Sequence, residues 1–137
     1  MNRTIKFRVF CKKHKQWEYY TLGDLVCGST TPSNGEGGEF NSDTWQQFTG
    51  LHDKNGNEIY EGDIIHEHIG GIIVDKRIIK YHNGSFLAVS TASLKDQTYG
   101  SMHEKFQYLS YFISNELDIK VIGNIHDNPE LLTNKTK

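Results

Sequence analysis

Two glycine-bearing dipeptides constrain this chain more than any other feature. Gly70-Gly71 separates DIIHEHI from IIVDKRIIKYH, and Asn83-Gly84 then leads into SFLAVS. Two-residue loops that accept positive φ at both central positions have a twist that matches paired strands, and Gly-Gly and Asn-Gly are favoured there. The segments between them are rich in β-branched side chains, which suit a pleated surface better than a helix. Residues 63 to 90 are therefore expected to fold as a three-stranded antiparallel meander.

The same turn logic operates just upstream. In QQFTGLHDKNGNEIYEGDII, residues 46 to 65, Asp53, Asn55 and Gly56 read as a hairpin loop, and Gly62 with Asp63 as a turn that launches the first meander strand. Oxygen side chains at Asp53, Asn55 and Asn57 begin like a calcium loop. The pattern then breaks: Glu58 stands where the sharp-turn glycine belongs and Ile64 where the closing glutamate belongs, so a hard cation would lack half its ligands.

Elsewhere, TIKFRVFC at residues 4 to 11 alternates Ile5, Phe7, Val9 and Cys11 against Lys6, Arg8 and Phe10, the period of a half-buried strand. WEYYTLGDLV, starting at Trp17, reads as a second extended segment. Residues 28 to 42 are a loop by composition, expected to be weakly ordered. Met102, Phe106, Leu109 and Ile113 have helical spacing and predict a short helix over 102–116. A last strand is expected at 119–125, then a closing turn opened by Asn128-Pro129, then a tail at 133–137. The expectation is one all-β domain over 1–132 with one short helix, comprising an N-terminal β segment to residue 62 and a small barrel over 63–132.

Composition narrows the function classes. The chain has 137 residues, 36% hydrophobic and 23% charged, which places it with globular rather than disordered sequences. It has no apolar run long enough for a membrane helix, and its first residues lack the apolar core of a secretory signal, so a cytoplasmic protein without membrane contact is expected. Cys11 and Cys27 are expected to be free thiols. The net charge of −2 conceals a segregation: residues 1 to 17 carry +6, and residues 36 to 63 carry −6. Such a split can pair within the fold, between copies, or with an anion.

Candidate sites follow from residue type. Arg3, Lys6, Arg8, Lys12, Lys13 and Lys15, interleaved with Phe7, Phe10 and Trp17, have the cation-plus-aromatic character of a nucleic-acid or partner contact, although a pI near 6.4 argues against nucleic acid. His66 and His68 share a strand face, and the Gly70-Gly71 turn is expected to bring Asp75 opposite His66. That trio has metal-ligand chemistry but lacks a fourth ligand of defined spacing, so no metal or cofactor is expected. Cys11 and His14 are ligand types without a second half. The Gly35–Gly38 run leads into neither a periodic helix nor a lysine, and no nucleophile motif surrounds any serine or cysteine. The chain reads as a non-enzyme.

KFRVF at 6–10, FTGLHDKNGNEIYEGDII at 48–65 and DIKVIGNIHDNPELL at 118–132 resemble, in order and spacing, the YopX family of small phage and prophage proteins. The chain departs from that pattern with Phe10 where tryptophan is usual and Cys11 where an acid is usual, and the second departure argues against a Cys11/His14 metal pair. The resemblance implies a mostly β architecture with an SH3-like barrel in its C-terminal part, in a protein of a bacteriophage or other mobile element. It implies no catalytic residues. The resulting expectation is a binding or assembly module, homo-oligomeric or partnered with a phage or host protein. The competing readings are a nucleic-acid-binding small barrel and a metal-dependent enzyme at His66/His68.

Overall fold

The structure is a computed structural model that describes residues 4–27, 40–91 and 106–132. The described chain is mostly β, in two antiparallel sheets with a few short helices. It divides into two compact units, residues 1–50 and 51–137.

In the first unit β1 (Lys6–Cys11) pairs with β2 (Gln16–Thr21) as a hairpin, Cys11 opposite Gln16, and with β3 (Phe40–His52) on its other side. The β1–β3 register breaks after Arg8: Arg8 pairs Gln46 and Phe10 pairs Asn41, and the Thr44 hydroxyl accepts the Phe10 N–H at 2.9 Å. The expected extended segment through Val26 is corrected, because α1 (Leu22–Cys27) begins straight after β2. Thr21 and Asp24 form a reciprocal capping box: the Thr21 N–H donates to Asp24 Oδ2 at 2.9 Å, and the Asp24 N–H donates to Thr21 Oγ1 at 3.1 Å. Such a pair satisfies donors at a helix start and outweighs the weak strand signal of LGDLV. The expected loop ends earlier than residue 42, since β3 begins at Phe40; residues 28–39 lie outside the described residues.

The second unit contains β4 (Glu58–Tyr60), β5 (Asp63–Ile69), β6 (Ile72–His82), β7 (Ser85–Ser90), β8 (Phe106–Tyr108), α2 (Leu109–Ser114), β9 (Asp118–Asn124) and a closing 3-10 turn (Pro129–Leu132). Its sheet has the order β8-β7-β6-β5-β9 and stands where the C-terminal barrel is expected. Gly70 and Gly71 have φ of 61° and 82°, the left-handed pair that a tight two-residue turn demands. The core gathers Ile59, Ile65, Ile79, Ala88, Leu109, Phe112 and Ile119, with Leu51 and Val121 packed against it. Leu51 and Ile59 come from the hairpin before residue 62, which is why the unit boundary falls at 50/51 rather than at 62/63.

The helix expected over 102–116 is shorter. Residues 102–105 lie outside the described residues, and Phe106–Tyr108 pair with Leu87–Val89 as a strand. Only Leu109–Ser114 is helical, burying Leu109 and Phe112. The local sequence is compatible with both periods, and the open edge of β7 decides between them by accepting backbone hydrogen bonds.

Candidate interaction site at the long hairpin

The β5–β6 hairpin outruns its neighbours. Residues Arg77–His82 of β6 pair with β7, and β9 accompanies β5 only as far as His68, opposite Asp118. Beyond those limits stand Ile69, Ile72, Ile73 and Val74, exposed by 64%, 69%, 54% and 49%. Ile72, Ile73 and Val74 are consecutive, so both faces of the strand end are apolar. Large aliphatics gathered at one exposed tip mark contact surfaces more often than scattered ones do. The missed signal is the continuous IIV run beside the turn, where a half-buried strand would alternate with polar residues.

Below the tip a charged network fastens the hairpin to its sheet. The Arg77 guanidinium donates from Nε to Glu67 Oε1 at 3.1 Å and from Nη1 to the Ala88 carbonyl at 3.0 Å, and it lies 3.3 Å from Asp75 Oδ2 and 5.3 Å from the centre of the Phe112 ring. Ser90 Oγ also donates to Asp75 at 3.0 Å. Asp75 is thereby drawn away from the histidines, contrary to the expected pairing. The register steps between Glu67 and His68, so that His68 opposes Ile73, Glu67 opposes Asp75 and His66 opposes Lys76. A bulge adds one residue and turns Asp75 to the other face.

His66 and His68 do stay together, with ring centroids 6.0 Å apart. His66 lies between Lys76 on β6 and Lys120 on β9, charges that repel a cation. Burial, with the charges of His68 and Lys76, holds the His66 pKa below the ordinary imidazole value. The neutral ring is the one that suits this position.

The central turn residues act on the fold. Asp53 Oδ1 accepts the N–H groups of Asn55 and Asn57 at 2.9 and 2.8 Å, while Oδ2 accepts the Val121 N–H at 2.9 Å and Asn57 Nδ2 at 3.2 Å. Burial pushes this carboxyl up, but the hydrogen bonds from Val121, Asn57 and Asn55 outweigh it and hold the pKa below the usual carboxylate value. A cleft of about 440 Å³ beside it is lined by His52, Lys54, Phe112, Glu116 and Ile119, yet both Asp53 oxygens already serve the turn. Asp63 is buried and accepts the Tyr60 N–H at 2.8 Å. At the two remaining turns, Gly62 has φ of 89°, and Asn83 and Gly84 have φ of 50° and 82°.

The basic strand is split by the fold. Arg8, expected as a contact residue, is 6% exposed: its Nε donates to Gln46 Oε1 at 2.7 Å, and its guanidinium lies 4.7 Å from the Trp17 ring centre. Lys6 sits over the Phe48 ring at 5.3 Å, and Arg3 lies outside the described residues. Lys12, Lys13 and Lys15 are exposed in the β1–β2 loop. Sequence alternation counted Arg8 as outward-facing, whereas side chains of the two strands that flank β1, Gln46 on β3 and Trp17 on β2, close around it.

Among solved structures, protein EF1440 from Enterococcus faecalis is similar to this chain at a TM-score of 0.51 and 23% identity, covering 94% of this chain and 98% of its own. That likeness speaks to the fold. No curated protein matches the sequence. No helix among the described residues is long and apolar enough to cross a membrane. A family profile described as YopX protein matches residues 6–133, a span that takes in the first strand, the Asp53 turn, the long hairpin and the closing turn. With nearly its whole length inside that profile, the chain belongs to the YopX protein family.

Proposed function

We propose that this chain is a non-enzymatic binding or assembly module of a phage, prophage or related mobile element, acting in the bacterial cytoplasm and associating with further copies of itself. The observation that supports the reading is the apolar tip of the long hairpin, Ile69, Ile72, Ile73 and Val74. Covering four half-exposed aliphatic side chains is worth about 1 kcal/mol each, roughly 4 kcal/mol in all. Association costs about 4 kcal/mol or more in lost translational and rotational freedom. The tip thus offsets the lower end of that cost, and a reversible contact also draws on attraction between the basic β1–β2 loop and the acidic segment of a neighbouring copy at low salt.

Light scattering over a concentration series tests this directly. Association that rises with concentration, weakens in salt, and disappears in an Ile72→Asp, Ile73→Asp double variant with unchanged circular dichroism is the expected result. A particle that stays monomeric at the highest attainable concentration overturns it. The competing nucleic-acid reading draws on exposed Lys12, Lys13 and Lys15, and would show as DNA retention with a steep salt slope, lost when these lysines are reversed in charge.

A further inference from the structure

The β1–β2 hairpin gathers a sulfur, an imidazole nitrogen and a carboxylate oxygen at one place. Cys11 ends β1 with 1% of its surface exposed, His14 lies in the following loop, and Glu18 projects from β2. Cys11 Sγ is 3.4 Å from His14 Nδ1, His14 Nδ1 is 3.8 Å from Glu18 Oε1, and the three ligand atoms all lie within 4.8 Å of one another. The backbone explains the convergence. Val9 opposes Glu18 and Cys11 opposes Gln16, which puts Cys11 and Glu18 on one face of the hairpin. Lys15, at φ 53°, takes the left-handed conformation that closes the loop after His14.

We propose that Cys11, His14 and Glu18 form a binding site for a divalent transition-metal ion of the zinc class, with its fourth position open to water or an external donor. Tetrahedral geometry gives the measure. With bonds of about 2.3 Å to sulfur, about 2.1 Å to nitrogen and about 2.0 Å to oxygen, neighbouring ligand atoms stand roughly 3.6 Å apart for S and N and roughly 3.3 Å apart for N and O. The observed 3.4 and 3.8 Å lie within about half an ångström of those values. Glu18 need only swing inward, and its side chain is 28% exposed and long enough to do so.

The ligand chemistry agrees with that geometry. A thiolate with an imidazole selects a borderline-soft ion such as zinc or cobalt over calcium or magnesium, which prefer all-oxygen cages. Gln16 Nε2 donates to Glu18 Oε2 at 3.3 Å, which leaves Oε1, 3.8 Å from His14 Nδ1, for the metal. Such outer partners fix the ligands that touch a metal. Lys12, Lys13 and Lys15 on the same loop oppose a cation, but they are exposed and screened, whereas the thiolate and carboxylate bring two negative charges into direct contact. Asp118 stands opposite His68 in the ladder, but among the described residues it is Cys11, His14 and Glu18 whose three ligand atoms converge within 4.8 Å of one another, which is why the hairpin holds the better site.

Titration of the full-length, chelator-treated protein with cobalt(II) under anaerobic conditions tests the proposal. The expected result is one equivalent of cobalt, with a near-ultraviolet sulfur-to-cobalt band and the visible bands of a tetrahedral ion, displaced by zinc. The sulfur band should vanish in Cys11→Ser and persist in Cys27→Ser and in a His66→Ala, His68→Ala double variant. His14→Ala, whose site is 56% exposed and does not endanger folding, should weaken binding by more than the roughly 10- to 100-fold that loss of a mere outer partner costs. Absence of a sulfur-to-cobalt band, a band that depends on Cys27 instead of Cys11, or unchanged affinity in His14→Ala would overturn it.

Discussion

Replacing Asp53 should expose how much of the second unit hangs on one carboxylate. Its side chain is 7% exposed and accepts three backbone N–H groups, those of Asn55, Asn57 and Val121, the last from a strand 68 residues away in sequence. Hydrogen bonds to a charged acceptor are worth about 1.5–3 kcal/mol each; counting Val121 in full and halving the two turn donors, which water can partly reach, Asp53→Ala should cost roughly 3–6 kcal/mol. That corresponds to a fall in melting temperature of roughly 10 °C or more. Asp53→Asn keeps one acceptor oxygen and should lose about half as much. Acid sharpens the test. Because the folded pKa lies below the unfolded value near 3.9, the advantage over Asp53→Asn is complete above about pH 4 and is lost as pH falls through the folded value. Urea unfolding followed by tryptophan fluorescence, from about pH 7 to about pH 2, measures both effects. An Asp53→Ala variant within about 1 kcal/mol of wild type at neutral pH, or a gap to Asp53→Asn that survives unchanged into acid, would refute the reasoning.

Three further outcomes are expected. Gly62, at φ 89°, gives its N–H to Ile79 at 2.8 Å and accepts the Ile125 N–H at 2.9 Å, so Gly62→Ala should lower the urea midpoint by the equivalent of about 1–2 kcal/mol; an unchanged midpoint counts against the turn's role. Arg77→Ala strands Glu67 and Asp75 without their cation, and because all three side chains keep some contact with water the cost should be about 2–3 kcal/mol, below that of a fully buried pair. A loss under half a kilocalorie would place the network at the surface in energetic terms. His66 has a lowered folded pKa, so its contribution is present above the unfolded value near 6.5 and is lost as pH falls through the folded one; His66→Gln should flatten stability between about pH 7 and pH 5, and an identical slope in variant and wild type would contradict this.

How much was legible can be read from particular residues. The Gly70-Gly71 and Asn83-Gly84 turns were visible because left-handed backbone is a property of the residue itself, independent of what surrounds it. The start of α1 was missed, because the strand-forming aromatics before it obscured the Thr21 and Asp24 capping pair. β3 was not legible either, since Thr44 and Gln46 are polar residues buried by partners on β1 that no local pattern announces. The displacement of Asp75 from His66 followed from a one-residue bulge, and local sequence carries little information about where a ladder slips. Sequence alone argued against Cys11 and His14 as a metal pair, because only the hairpin register brings Glu18 beside them.

The sequence by itself determined where the chain turns, which segments extend between the turns, and to which family it belongs, since these depend on residue conformation and local order. Tertiary structure alone decided which charges face inward, as with Arg8 and Arg77, and which ligands meet, as with Cys11, His14 and Glu18. It also decided which aliphatics are left outside, as at the long hairpin's tip. The physical reason is that local backbone preference acts within a few residues, whereas burial and ligand geometry are set by strands brought together from distant parts of the chain.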